Sequence, residues 1–177
     1  MRSALIVVDM LNTYDHEDAD KLVASVRESL AQTVALIERA RSADVLTVYV
    51  NDNYGDFSAG RPELVRSALH GRAPELIEPI VPPDDVAFVV KARHSIFYST
   101  QLEYLLRQEE IDRIVLTGQV TEQCILYSAL DGYVRHFAVA VPRDAVAAIH
   151  EDLADAALRM MERNMSADLS DTKECEL

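Results

Sequence analysis

Short apolar runs alternate with amphipathic stretches along most of the chain. From about Asp18 to Arg41, apolar residues recur at helical spacing with charged residues on the opposite face, which predicts a long surface helix. Shorter helices are predicted at Thr100–Gln108, Thr121–Val134 and about Glu151–Met165. The apolar runs between the helices are rich in β-branched residues and predict five strands: Ala4–Val8, Val45–Val50, Val86–Val90, Arg113–Thr117 and Phe137–Val141.

The predicted strands are apolar throughout instead of alternating with polar residues. Such strands are buried on both faces, and their separation by helices is typical of a parallel sheet. We therefore expect an α/β fold, a Rossmann-like three-layer α/β/α sandwich around a mostly parallel sheet of about five or six strands, with strands one and four as central neighbours. A chain of 177 residues fits a single domain spanning residues 1–177.

One segment, Asn51–Pro83, interrupts this alternation and is rich in glycine and proline. We expect it to be a long excursion with short helices over one end of the sheet. Long connections of this kind are commonly lids or binding loops.

Composition and charge exclude several classes of protein. Seventeen basic and thirty acidic residues give a net charge of −13, which disfavours nucleic-acid binding. No apolar run approaches the roughly 20 residues of a bilayer span, and the N-terminal residues lack the basic region of a secretory signal. Two cysteines far apart in sequence do not form a disulfide framework, so we expect free thiols and a cytoplasmic location.

Residues with catalytic chemistry follow three of the predicted strands. Ligands of open α/β sheets bind beyond the carboxyl ends of the strands, where Asp9, Lys91 and the segment Thr117–Cys124 are predicted to lie. If Thr121 caps the following helix, Cys124 lies in the first helical turn, where the helix dipole lowers a thiol pKa. Each residue alone also fits an ordinary structural role, as a turn aspartate, a solvated lysine or a core cysteine.

These residues lie within segments that resemble the isochorismatase-like cysteine hydrolases, a family that includes nicotinamidases and N-carbamoylsarcosine amidases. The similar segments are Ile6–Met10, Lys91–Thr100 and Leu116–Cys124, continuing to Val141–Ala145. They occur in the family's order and span roughly residues 3–148, nearly the whole chain.

The resemblance implies a catalytic triad of Asp9, Lys91 and Cys124. Cys124 would be the nucleophile, Lys91 would stabilise its thiolate, and Asp9 would accept and return the proton. It also implies a cis peptide bond between Gln119 and Val120, with the backbone amides of Val120 and Cys124 forming an oxyanion hole. The expected substrate is a small amide, imide or related molecule.

The loop after the second strand departs from the nicotinamidases, which bind a divalent metal there through an aspartate and several histidines. Asn51–Phe57 contains no histidine, so we expect no metal and no other cofactor. Asp52 and Asp56 could bind a hard cation but are interpreted as surface carboxylates. Further candidates for substrate binding, each with an alternative role in packing or local structure, are Asn51, Tyr54, His94, Phe97, Tyr98 and Thr121.

Alternative functions remain open from the sequence alone. Some family members cleave the vinyl ether of isochorismate without a nucleophilic cysteine, and a catalytically idle member could serve as a binding or scaffold subunit. A receiver-like signalling domain fits poorly, because it needs a cluster of acids after the first strand and an aspartate after the third, where this chain has only Asp9 and Lys91.

Two apolar faces predict self-association, as a homodimer or a larger homo-oligomer. One face lies on the last helix and consists of Leu153, Ala157, Met160 and Met161. The other lies on the excursion and consists of Phe57, Leu64, Val65 and Leu69.

Overall fold

A single parallel sheet forms the centre of the molecule in a computed structural model that describes residues 1–177. The strand order is β3-β2-β1-β4-β5, and β6 pairs with the end of β4. All pairings are parallel. The strands are β1 Ser3–Val8, β2 Leu46–Asp52, β3 Ala87–Lys91, β4 Arg113–Gln119, β5 Ala138–Ala140 and β6 Val146–Ala147.

Helices cover both faces of the sheet. They are α1 Ala19–Ser42, α2 Arg61–Leu69, α3 Pro74–Ile77, α4 Leu102–Gln108, α5 Leu126–Val134 and α6 Glu151–Met165. Ile6 of β1 packs with residues of α4, α5 and α6, whereas its neighbours Leu5 and Val7 pack with residues of α1, α2 and α3. Because successive side chains of a strand point to opposite faces, a central strand between two helix layers must be apolar at every position.

The topology gathers the carboxyl ends of four strands at one edge. Asp9 directly follows β1, which lies between β2 and β4. Asp52 and Lys91 are the last residues of β2 and β3 and lie opposite each other in the register. Gln119 ends β4, so polar side chains from neighbouring strands meet around Asp9.

Gly118 allows β1 and β4 to approach each other closely at this edge. Its φ is 114°, in the region that favours glycine, and a Cβ atom there would lie 2.2 Å from the carbonyl oxygen of Val8. Any other residue at this position would clash with the backbone of β1.

The predicted fold class, the central pairing of strands one and four, and the short helices of the excursion are confirmed. The sixth strand, Val146–Ala147, has only two residues and gives no readable pattern. The helix predicted at Thr121–Val134 is divided into a π-helical turn, Thr121–Ile125, and α5. None of the helices combines the length and apolar composition needed to cross a bilayer.

Candidate active site

Asp9 is held at the sheet edge by its own backbone. Its φ of 53° is in the left-handed region, which aspartate adopts more readily than most residues. The Asp9 N–H donates to the carbonyl of Val50 at 2.9 Å, and the side-chain amide of Gln119 donates to the Asp9 carbonyl at 2.6 Å. These contacts to β2 and β4 fix the direction of the Asp9 carboxylate.

Lys91 brings the three residues of the expected triad together. Its Nζ lies 2.9 Å from Asp9 Oδ2 and 3.7 Å from Cys124 Sγ. The Lys91 side chain has no exposed surface, so its charge is enclosed by these partners. The structure thus places an acid, a cation and a thiol within contact distance at the ends of three different elements.

Asp52 is a fourth member of this cluster, and its interpretation as a surface carboxylate was wrong. Its Oδ2 lies 3.2 Å from Lys91 Nζ, its N–H donates to Asp9 Oδ1 at 2.7 Å, and its Oδ1 accepts the N–H of Tyr54 at 2.8 Å. The strand continues two residues beyond its predicted end at Val50, and this extension pairs Asp52 with Lys91. The contact of Asp52 with Lys91 therefore depends on the register of β2 and β3, which the local sequence pattern does not reveal.

Asp9 and Lys91 form a buried ion pair. Burial raises the pKa of Asp9 against the opposing effect of the Lys91 ammonium. Burial would lower the pKa of Lys91, but the Asp9 carboxylate, with Cys124 and Asp52 as further neighbours, raises it. Lys91 is therefore a permanent cation, and Asp9 is a stronger base than an exposed aspartate.

Cys124 carries a neutral thiol in the resting site. Burial raises its pKa well above the ordinary value, the Asp9 carboxylate adds to this effect, and Lys91 opposes it. The prediction that the helix start lowers this pKa was wrong, because the thiol is buried beside two carboxylates and a single cation. Its Sγ also lies 3.8 Å from Nδ1 of His94.

A cleft of about 430 Å³ opens above these groups. Tyr54 and His94, two of the candidate substrate-binding residues, line it. About half of Tyr54 is exposed, while burial of its hydroxyl group and the nearby Asp9 and Asp52 charges raise its pKa. The full lining is Asp9, Asn12, His16, Leu22, Asp52, Tyr54, His94, Gln119, Val120, Gln123, Cys124 and Ile149.

The structure places two of the candidate substrate-binding residues, Asn51 and Phe97, outside the cleft lining, where their side chains serve the fold. The amide of Asn51 is buried, accepts the N–H of Leu11 at 2.9 Å and donates to the Leu11 carbonyl at 3.1 Å. Asn51 therefore braces the turn after β1. Phe97 lies in the core and stacks on Phe137 with ring centroids 5.9 Å apart.

Thr121 and Tyr98 also lie outside the cleft lining. Thr121 is buried and donates its hydroxyl to the carbonyl of Ala147 at 2.9 Å, so it links the turn that carries Cys124 to β6. It does not cap the helix with its side chain, contrary to expectation. Tyr98 is exposed on the surface.

The peptide bond between Gln119 and Val120 is cis, as the family resemblance implies. Val120 lines the cleft beside Cys124, where its backbone amide was predicted to face an oxyanion. Gln119 was not predicted as a functional residue; its side chain supports Asp9 and accepts a hydrogen bond from the Tyr14 hydroxyl at 3.4 Å.

The side chains near this cleft do not fit a divalent metal. No three histidine, cysteine, aspartate or glutamate side chains are arranged to hold an ion. Asp52 is paired with Lys91, and Asp56 is exposed and accepts the hydroxyl of Ser58 at 2.6 Å. A hard cation requires several convergent oxygen ligands, which these two carboxylates do not supply.

Comparison with known proteins shows one consistent relationship. The model of the isochorismatase domain family matches residues 3–174. The chain is 30% identical over 167 residues to an uncharacterised isochorismatase family protein of Bacillus subtilis (strain 168), covering 94% of this chain and 92% of that protein. It is 26% identical over 159 residues to the maleamate amidohydrolase of Pseudomonas putida, covering 85% and 75% of the two chains. The crystal structure of N-carbamoylsarcosine amidase from Thermoplasma acidophilum aligns with a TM-score of 0.75 and 28% identity over 100% of both chains.

Proposed function

Because the chain belongs to the isochorismatase family of hydrolases, we propose that it hydrolyses the C–N bond of a small amide, imide or related molecule through a covalent intermediate on Cys124. The main observation in support is the contact of one buried cation, Lys91, with both Asp9 and the Cys124 sulfur beneath a cleft. Two of the similar proteins, a maleamate amidohydrolase and an N-carbamoylsarcosine amidase, support C–N hydrolysis by their names.

In the first half of the proposed reaction, Cys124 Sγ attacks the carbonyl carbon while its proton moves to the Asp9 carboxylate. The raised pKa of the thiol makes transfer before attack unfavourable, so the proton leaves as the S–C bond forms. Lys91 stabilises the negative charge on sulfur along this path. The nitrogen leaving group then takes the proton from Asp9, the C–N bond breaks, and an acyl–enzyme thioester remains.

In the second half, water attacks the thioester carbon and gives one proton to Asp9. The S–C bond breaks, the acid product leaves, and Asp9 returns the proton to Cys124. The same carboxylate therefore serves both half-reactions, which requires the fixed position that β2 and β4 give it.

The backbone amides of Val120 and Cys124 are the proposed donors to the oxyanion that forms in both half-reactions. Donors of this kind contribute about 3 kcal/mol each to lowering an acyl-transfer barrier. They require a carbonyl oxygen at the inner end of the cleft, next to Val120 and the sulfur.

Ammonia release from a panel of amides, ureido acids and nicotinamide tests the proposal, with isochorismate cleavage measured in parallel. Release that disappears in Cys124→Ala, together with a trapped acyl adduct in the intact-protein mass spectrum, is the expected result. Turnover that persists in Cys124→Ala, or cleavage of isochorismate alone, would contradict the covalent route.

A further inference from the structure

The cleft lining contains aspartates but no permanently cationic side chain. Two carboxylates, Asp9 and Asp52, are among its lining residues, whereas no lysine or arginine is. The lining also contains two histidines, His16 and His94. Arg93 precedes His94 in sequence but is exposed and lies outside the lining.

The one cation of the site, Lys91, is not available to bind an anionic substrate. An ammonium group has three donor hydrogens, and its neighbours are Asp9 Oδ2, Asp52 Oδ2 and the Cys124 sulfur. Its side chain lies beneath the cleft with no exposed surface. A substrate carboxylate in the cleft would therefore meet the two aspartates before it met the lysine.

We infer that the substrate of the proposed hydrolase is a small amide without a carboxylate, and that Asp52 discriminates against anions; this inference rests on the proposed function. The Asp52 side chain is 19% exposed and forms part of the cleft surface. Repulsion between like charges is stronger in a partly desolvated cleft than in water, and such repulsion is a common source of specificity. The other polar lining groups, Asn12 and Gln123, are uncharged amides that suit an uncharged substrate.

Two thiol reagents of nearly equal shape test the charge selectivity independently of turnover. Iodoacetamide is an uncharged amide, iodoacetate is a carboxylate, and both alkylate sulfur with loss of iodide. Rates are measured by mass spectrometry in Cys175→Ser at about pH 8, where an ordinary imidazole is neutral. We expect the rate ratio of iodoacetamide to iodoacetate at Cys124 to exceed that of a small free thiol by about tenfold.

Variants at two aspartates of the same loop identify the residue responsible. Asp52→Asn removes one cleft charge, and its effect on the general reactivity of the sulfur cancels in the ratio. We expect the ratio to fall several-fold in Asp52→Asn and to be restored in Asp52→Glu. Asp56→Asn is the matched control, because Asp56 is exposed and not part of the lining, and should leave the ratio unchanged.

A ratio at Cys124 equal to or below that of the free thiol would overturn the inference. Hydrolysis of succinamate and of its uncharged methyl ester separates this outcome from failure of the proposed function. Faster ammonia release from the ester supports the inference, and faster release from succinamate contradicts it. Selective alkylation without hydrolysis of any amide would instead refute the proposed activity and leave the charge selectivity of the cleft established.

Discussion

At the residue scale, the number of carboxylates that share the Lys91 ammonium controls whether the Cys124 thiol is protonated. One ammonium contacts two carboxylates, so a resting thiolate would add a third negative charge in a buried place. Because Lys91 already neutralises part of the charge of Asp9 and Asp52, it does not by itself keep the Cys124 sulfur ionised. Deprotonation is therefore coupled to attack, when the developing charge moves to the substrate oxygen.

Substitution of the nucleophile tests this arrangement directly. Cys124→Ala should abolish turnover but preserve the fold, because alanine is favourable in a helical turn and the cysteine is only partly buried. Asp9→Asn keeps the shape but loses the proton acceptor, so kcat should fall about 100-fold or more. Steady-state kinetics and circular dichroism check both variants; an active Cys124→Ala enzyme would favour direct attack by water.

The raised pKa of Cys124 predicts a pH profile for its alkylation. Because only the thiolate reacts, the iodoacetamide rate should still rise with pH beyond the midpoint of a free thiol, at about pH 8.5. Asp52→Asn removes a negative charge that disfavours the thiolate, so its profile should shift to lower pH. Asp56→Asn should keep the parent profile, and a profile centred below that of a free thiol would contradict the electrostatic account.

How much of the site the sequence predicts depends on the kind of signal each residue leaves. Asp9, Lys91 and Cys124 follow apolar runs and lie in family-like segments, so they could be found without a structure. Asp52 and Gln119 act through side-chain contacts between strands, which depend on register and not on local pattern.

At the scale of elements, the junction of β1 and β4 positions Asp9 and depends on Gly118. Gly118→Ala would place a Cβ atom 2.2 Å from the Val8 carbonyl oxygen at a φ of 114°. Clash and backbone strain together should lower the free energy of unfolding by about 2–5 kcal/mol. Thermal or urea unfolding measures this effect.

Gly55 provides the matched control for this substitution. Its φ is 86°, but a Cβ atom there would meet nothing within 4 Å. Gly55→Ala should therefore cost only the strain of a left-handed residue, about 1 kcal/mol. Equal losses in the two variants would show that the approach of β4 to β1 is not the source of the Gly118 requirement.

Elements differed in how well the sequence predicted them, for physical reasons. The last helix was predicted at about Glu151–Met165 and spans these residues, since a long periodic pattern is a strong signal. Ordinary helix was predicted at Thr121–Ile125, but the turn is π-helical. The hydroxyl of Thr121, expected to cap this helix, instead bonds to Ala147, a partner distant in sequence. Tertiary contacts of this kind override local capping preferences.

At the scale of the whole molecule, the excursion contributes both to the site and to the core. Its first residues, Asp52 and Tyr54, line the cleft. Its helices α2 and α3 instead bury Leu64 and Leu76 in the cluster that includes α1. Most of the excursion is therefore part of the helix layer, and only its beginning can act on substrate.

The two apolar faces predicted to mediate association are partly used within the chain. Ala157, Met161 and Leu64 are buried in the two cores. Outside the cores, α5 and α6 leave an exposed apolar surface, here called the α5–α6 patch, made of Tyr127, Leu130, Val134, Leu153 and Met160. Tyr127 packs on the cleft residue His94 with ring centroids 5.3 Å apart, so the patch extends to the mouth of the cleft.

We expect two copies of the chain to associate through the α5–α6 patch. A net charge of −13 opposes contact between acidic surfaces, so the contact should be apolar. Sedimentation equilibrium at micromolar concentration and moderate salt should give a multiple of 19.8 kDa, and Leu130→Asp should reduce it to the monomer. Phe57→Asp adds the same charge on the exposed excursion and should leave the assembly intact. A parent chain of 19.8 kDa throughout would show that the patch faces solvent, and dissociation by Phe57→Asp alone would move the contact to the excursion.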